Sequence, residues 1–382
     1  MQIQSVRMKN KTWLSPLPTS LDSENTLILC FARPGFFAQP QLKSLKSQFP
    51  KSQVVGCSTA GNIAGDAIED DVVVATFCQF EATQVVCRDF SVGAGGASVA
   101  TGLAIASEFG RIPDVKHIFI LSEDLKINGA SLVRTVADEL KRLGSTASVS
   151  GGMAGTGPDF GLSETVFQDT IAAQRVVAVA LAGAQLQVTS AAGAGWDRFG
   201  PQRMITKSQG NLLLEIDGRP ALDLYSEYLG PELTKSLPGS AILFPLAVEI
   251  DGMPDVIRSV LGMDFQTKAM AFAAEVPEGA KAFIMKCSFE KLITAAKIAA
   301  QEALRGQPQD KPLLAVVVSC VGRRIVLGEK CEDELEIVRS ILPKHSTMCG
   351  FYSNGEVSAL PHQGVQYHNE TFSLTLLSEK LP

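Results

Sequence analysis

Apolar runs of strand length, each stopped by turn residues, recur along the whole chain and limit what it folds into. They include TLILCFA (26–32), DVVVATFCQF (71–80), TQVVCRDF (83–90), HIFILSE (117–123), RVVAVALAG (175–183), KAFIMKCS (281–288) and PLLAVVVSCVG (312–322). Rich in β-branched residues and bounded by Gly, Pro, Asp and Ser, they read as strands. Helical signals are fewer. Short stretches lie near 38–48 and 97–109, and Leu132, Val133, Val136, Leu140 and Leu143 form an amphipathic stripe that Gly144 stops. A further helix starts near Pro220, an Ala-rich one covers 289–305, and another covers 331–342. Many antiparallel-looking strands with few interposed helices predict an α+β fold, with layered, mainly antiparallel sheets covered by helices, rather than a doubly wound parallel sheet.

A length of 382 residues gives a prior of two domains. The chain changes character over 195–230, which is polar and punctuated by Gly and Pro; this places the boundary at 210–217 and the domains at 1–212 and 213–382. SVSGGMAGTG (148–157) reads as a glycine-dense loop. No tandem repeat of about 20 to 50 residues is visible, which disfavours a solenoid or propeller.

Composition excludes several classes. The formal charge is −6 and the basic residues form no blocks, so nucleic acid is not an expected partner. The first twenty residues lack the apolar core of a secretory signal, and the longest apolar runs reach about half of the ~18 to 20 residues a spanning helix needs, so a cytoplasmic protein without a membrane partner is expected. Eight cysteines lie scattered without a C-x-x-C pair, which argues against zinc ribbons and redox dithiols.

Motifs that carry chemistry are weak in the first half. GCSTA (56–60) approaches the G-x-S-x-G elbow of a Ser58 nucleophile, but Ala60 stands where the last Gly belongs and a loop follows. GAGGAS (93–98) and GGMAGTG (151–157) lack the remaining parts of a dinucleotide or Walker loop. The four histidines, His117, His345, His362 and His368, have no zinc-site spacing, although one axial haem ligand needs a single imidazole. The second half offers more. SCVGRR (319–324) ends an apolar strand with a thiol and two guanidiniums, which suit a carboxylate from a ligand or from a neighbouring Glu such as Glu356.

VVGCSTAGNI, then SGGMAGTG, VFQD and VVAVAL, resemble the N-terminal FIST domain. PALDLYSEYLG, FPLAVEIDG, DVIRSVLGMD, EVPEGAKAFIM, SCVGRR, CGFYSNGEV and YHNETFSLTLL resemble the C-terminal one, so the resemblance covers nearly the whole chain in order. It implies a sensory module of signal transduction, not an enzyme, with amino acids among the suggested ligands. One branch binds haem, senses nitric oxide and acts on a histidine kinase or on cyclic-di-GMP enzymes. The expected partners are therefore a small molecule and, in trans, a histidine kinase or a diguanylate cyclase or phosphodiesterase; a homodimer is compatible with this.

The expected ligand-binding residues are Cys320, Arg323, Arg324, Tyr352, Asn354, Glu356 and Asn369, with Ser58 and Thr59 from the first half. For an amino acid, Arg323 or Arg324 would clasp the carboxylate and Glu356 the ammonium. For haem b, His368 is the candidate axial ligand, with His345 and His362 as alternatives. Glu370 stands where the family often has another polar residue. A hydrolase built on Ser58 or Cys320, and a ligand-free scaffold for a kinase, are the competing readings.

Overall fold

The computed structural model describes residues 1–92, 97–123, 127–156, 161–249, 256–360 and 364–380. The chain makes one pattern three times. In each pass an edge strand leads to a strand, a helix or helix pair, a parallel strand, a short hairpin and a closing antiparallel strand. The first pass is β1 (Gln2–Lys9), β2 (Thr26–Ala32), α1 (Gln39–Gln48), β3 (Gln53–Ser58), β4 (Asn62–Ala64) with its hairpin partner Ala67–Ile68, and β5 (Val73–Gln79). The second is β6 (Gln84–Ser91), α2 (Ser98–Phe109), β7 (Val115–Ser122), α3 (Gly129–Arg142), β8 (Ser148–Met153), β9 (Thr165–Phe167) with Thr170–Ala172, and β10 (Arg175–Ala182). The third opens with β11 (Leu186–Gly193). After an insert containing α4 (Ala221–Lys235), it continues with α5 (Phe289–Leu304), β12 (Leu313–Cys320), α6 (Val321–Leu327), α7 (Cys331–Ile341), β13 (Ser346–Ser353), β14 (Gly355–Leu360), β15 (Gly364–His368) and β16 (Phe372–Glu379).

Each pass builds the centre of one sheet, with its two parallel strands side by side and the closing strand antiparallel to the first of them. The hairpins are exchanged. The first pass lends β4 to β13 in the third sheet, the second lends β9 to β3 in the first, and the third lends β14 to β8 in the second. The register is the same each time: Gly56, Gly151 and Gly350 stand opposite Cys30, Ile120 and Val317 on the parallel partner. A Cβ on any of these glycines would overlap the carbonyl oxygen of that partner residue. Two residues further on, the ends of the three strands meet and close a ring of backbone hydrogen bonds. The amide of Ala60 donates to the carbonyl of Tyr352 (2.8 Å), that of Gly155 to Ser58 (2.8 Å), and that of Asn354 to Met153 (3.4 Å).

The alternation along the strands sets the layers. Leu29 and Phe31, Phe119 and Leu121, and Val316 and Val318 point inward and join one core shared by all three sheets. The alternate residues point outward and are covered pass by pass: α1 over the first sheet, α2 and α3 over the second, α5 and α7 over the third. The described residues of 196–249 and 256–287 fold around α4 with a sheet of their own and a separate cluster in which Ile205, Tyr225, Met270 and Phe272 are buried. No helix among the described residues is long and apolar enough to cross a membrane.

The α+β architecture is as expected, and most strands and helices lie within two residues of their expected bounds. Two differences have physical causes. SVSGGMAGTG is a strand to Met153, because Gly151 and Gly152 serve close approach of neighbouring chain rather than a loop. The composition change near 195 marks the insert, and the expected division at 212/213 falls within the strand Leu212–Ile216 of that insert; strands from both sides of it share the second and third sheets. The glycine register generates a first prediction. Gly151→Ala or Gly350→Ala destabilises by about 2 to 3 kcal/mol or more in urea unfolding, as overpacking against an immobile backbone requires, whereas Gly239→Ala, which meets open space, changes little.

Candidate functional site

The strand ends that meet at the ring also frame a cavity. β12 passes directly into α6 at Cys320, and the β15–β16 turn brings Glu370 across from it. Glu370 has φ +57°, a left-handed conformation costly for a residue with a side chain. Its backbone carbonyl is held by the Trp196 indole N–H (2.9 Å). Its carboxylate lies over Gly322, where a Cβ would collide with both oxygens. The cavity, about 310 Å³, is bounded by Cys320, Val321, Gly322, Ile325, Asn354 and Glu370 on the body, and by Ile242, Ser259, Val260, Leu261 and Ala273 of the insert. Its walls are mainly apolar and its polar groups are few, the usual make-up of a small-molecule site.

Glu370 is fully buried. The Ser259 hydroxyl donates to its Oε1 (2.6 Å), while Oε2 has no donor among the described residues. Burial pushes its carboxyl up to about 7, against the Ser259 hydrogen bond and the nearby Arg323. Glu356, beneath it, is also fully buried and pushed up to about 8 by burial, but both of its oxygens are satisfied: Ser353 Oγ donates to Oε1 (2.6 Å), and Thr371 Oγ1 (2.8 Å) and N–H (3.2 Å) to Oε2. Burial, then the charges of Glu356 and Glu370, holds the Cys320 thiol well above its ordinary range. Its sulfur accepts the Gly322 amide (3.3 Å).

Of the residues expected from sequence, Cys320 and Asn354 line this cavity, and Glu356 and the buried Asn369 lie in the polar layer behind it. The Asn354 side-chain amide donates to Thr156 Oγ1 (3.3 Å), and the Asn354 backbone carbonyl accepts from Asn369 Nδ2 (3.5 Å). The two arginines clasp carboxylates of the protein itself. Arg323 is completely buried against Glu334, with Nε to Oε1 at 3.1 Å, and donates also to the carbonyls of Leu292 (2.9 Å) and Ala194. Arg324 is bidentate to Asp70 (3.0 and 2.6 Å) and stacks over buried Tyr352, on the far side of α6. Ser58 and Thr59 are structural: Ser58 Oγ donates to Gly155 O and accepts from the Glu164 amide (both 2.9 Å), and Thr59 Oγ1 donates to Asn62 (2.7 Å). Among the described residues Ser58 thus has no base hydrogen-bonded to it, and Cys320 is held as a thiol, the opposite of an activated nucleophile.

Among the described residues, no histidine is placed as an axial haem ligand would be. His368 is buried on β15 opposite Glu356, lowered to about 4 by burial and by Arg258, and lines neither this cavity nor the one beside Tyr367. An iron ligand must face an opening that admits the macrocycle. His345 is exposed on the turn before β13, His362 lies outside the described residues, and His117 has Ser148 and Ser150 hydroxyls on its two nitrogens (2.8 and 3.0 Å). Among the described residues no cluster of His, Cys, Asp and Glu suits a metal ion. Residues 93–96 of GAGGAS also lie outside the described residues.

Sequence reasoning missed Glu370 and Ser259 as the polar pair of the cavity. Glu370 was visible as a departure in YHNETF, but its left-handed backbone, which turns the carboxylate inward, has no sequence signal at a non-Gly residue. Ser259 comes from the insert, and nothing local links it to β15.

Residues 26–219 match the family model of the FIST N domain, and residues 221–359 that of the FIST C domain. Uncharacterized protein MJ1623 of Methanocaldococcus jannaschii is 23% identical over 302 residues, 74% of this chain and 57% of that protein.

Two predictions rest on the buried charges. Glu356 and Glu370 have folded pKa values raised from 4.5, so the folded state binds more protons and stability falls as pH rises towards about 8. His117 and His368 are lowered from 6.5 to about 3 and 4, so their effect has the opposite sign and ends by pH 6.5. The terms oppose below 6.5, and above it the carboxylates alone remain. Urea unfolding is expected to show a loss on the order of 2 kcal/mol between roughly pH 6.5 and 8, largely absent in Glu356→Gln. Separately, Glu334→Ala leaves Arg323 buried and unpaired and is expected to cost about 3 to 5 kcal/mol in the same measurement.

Proposed function

From the premise that this chain belongs to the FIST family, whose domains are sensor domains of signal transduction proteins, we propose that it senses a small molecule carrying a protonated amine, held in the cavity at Glu370. One observation carries the reading: a fully buried carboxylate with an oxygen that has no donor among the described residues, facing a mainly apolar cavity of about 310 Å³. An ammonium group supplies the missing donor and the opposite charge, and Val260, Leu261, Val321 and Ile325 accept an apolar body. Amino acids and aliphatic amines fall in this class, with Glu370 taking the role first expected of Glu356.

A sensor needs two states that the ligand distinguishes, because it shifts an equilibrium only by its differential affinity. The cavity is built between the body and the insert, so occupancy bears on how the two pack. Arg323 ties the insert to this floor: it bonds Ala194 before it, Leu292 after it, and Glu334 on α7. The output would pass to a partner in trans, a histidine kinase or cyclic-di-GMP enzyme, as part of the same proposal.

The test is mass spectrometry of metabolites retained by the purified protein, followed by calorimetry with the amines it finds and with n-butylamine as a probe. Binding that weakens about tenfold or more in Glu370→Gln is expected, as for loss of a charged hydrogen-bond partner. Equal affinity in the variant, or retention of anionic ligands there, would sink the reading. Haem loading is the parallel control, since a stoichiometric Soret band would replace it with the haem-based nitric oxide reading.

A further inference from the structure

α6 separates two cavities, and Val321 and Ile325 line both. The second, about 340 Å³, lies between α6 and the first pass of the chain, where Arg33, Ala60 and Asp70 form the opposite wall. The threefold pattern makes it the counterpart of the first. Cys30 and Val317 are equivalent by register, so Arg33 occupies in the first pass the place of Cys320 in the third, just beyond the parallel strand. Ala60 likewise corresponds to Asn354. Each cavity therefore sits outside the carboxyl ends of a parallel strand pair, where sheets of this kind collect ligands.

The polarity is reversed. Asp70 and Arg324 neutralise one another through two hydrogen bonds. The Arg33 guanidinium forms no ion pair and no hydrogen bond among the described residues, although the residue is half-buried. The wall is left with one uncompensated positive charge beside the apolar surface of Ala60, Val321 and Ile325. A planar fork of N–H donors matches a carboxylate, and a cavity at the small end of ligand-pocket sizes suits a short chain.

We propose that this second cavity is a separate binding site for a short aliphatic carboxylate, its head on Arg33 and its chain against Val321 and Ile325. The site does not depend on the amine reading of the first cavity, because none of its polar groups is shared with Glu370, Ser259 or Asn354.

The test is calorimetric and NMR titration of the full chain with sodium butyrate at fixed ionic strength, against butan-1-ol, n-butylamine and inorganic phosphate. Saturable butyrate binding is expected, at least about tenfold weaker in Arg33→Gln, intermediate in Arg33→Lys, which keeps the charge without the fork, and unchanged in Arg88→Gln on a remote surface. Butan-1-ol and n-butylamine should give no binding that depends on Arg33. Absence of saturable butyrate binding overturns the proposal, as does equal affinity in the folded Arg33→Gln and Arg33→Lys variants. Phosphate binding that requires Arg33 while butyrate fails assigns an inorganic oxyanion instead and overturns it too.

Discussion

Three strand ends cannot meet unless their backbones approach closely, and the ring formed by Ala60, Gly155 and Asn354 with Tyr352, Ser58 and Met153 is where they do. Each of the three sheets of the body depends on it. Each parallel pair is pinned by a glycine that admits the neighbouring carbonyl, and each hairpin crosses to another sheet just past the ring. Because the exchange is cyclic, no pass completes its own sheet. The common core of Phe31, Leu121, Val318 and their neighbours therefore forms only when all three passes are in place. Contacts of such sequence separation carry a large loop-closure cost before they are rewarded, so cooperative and comparatively slow folding follows from the topology.

The same convergence explains where the cavities lie. Strands that stop together at an axis leave their terminal loops around it, and the third pass fills that space with α6 while the first leaves Arg33 and the second Glu123 at the equivalent positions. Three copies of one backbone arrangement have thus acquired a guanidinium, a carboxylate and a thiol. The body is symmetric in its hydrogen bonding and asymmetric in its chemistry. The insert of residues 196–287 adds to the asymmetry, since it interrupts only the third pass and lines the cavity at Glu370 but not the one at Arg33.

Local features of this fold were legible in the sequence. Strand runs such as TLILCFA and the amphipathic stripe ending at Gly144 specify their elements through nearest neighbours, and those elements appear where expected. The threefold pattern was not, because it is held by backbone geometry: apart from Gly56, Gly151 and Gly350, equivalent positions share almost no side chain. GGMAGTG reads as a loop for the same reason, Gly151, Gly152 and Gly155 being demanded by neighbours distant in sequence. At the site, Cys320 and Asn354 were reachable from their motifs. Arg323 and Arg324 were expected at a strand end and lie instead in α6, which starts straight after the strand; the carboxylates they hold, Glu334 and Asp70, come from α7 and from the β5 approach, and sequence spacing does not reveal a partner across the fold.

Glu356 and Glu370 allow structural and ligand-directed burial to be told apart. Both are fully buried and both have raised pKa values, so neither property distinguishes them. What differs is the accounting of lone pairs. Glu356 accepts from Ser353 and twice from Thr371, which ties the β13–β14 turn to β16, and the protein compensates its desolvation internally. Among the described residues Glu370 receives Ser259 alone; it holds a strained backbone and faces open volume. A buried acceptor left without a donor costs roughly 1 to 3 kcal/mol, more when charged. A fold able to satisfy Glu356 so fully has no internal reason to carry that cost a short distance away, and a ligand that donates to Oε2 supplies one.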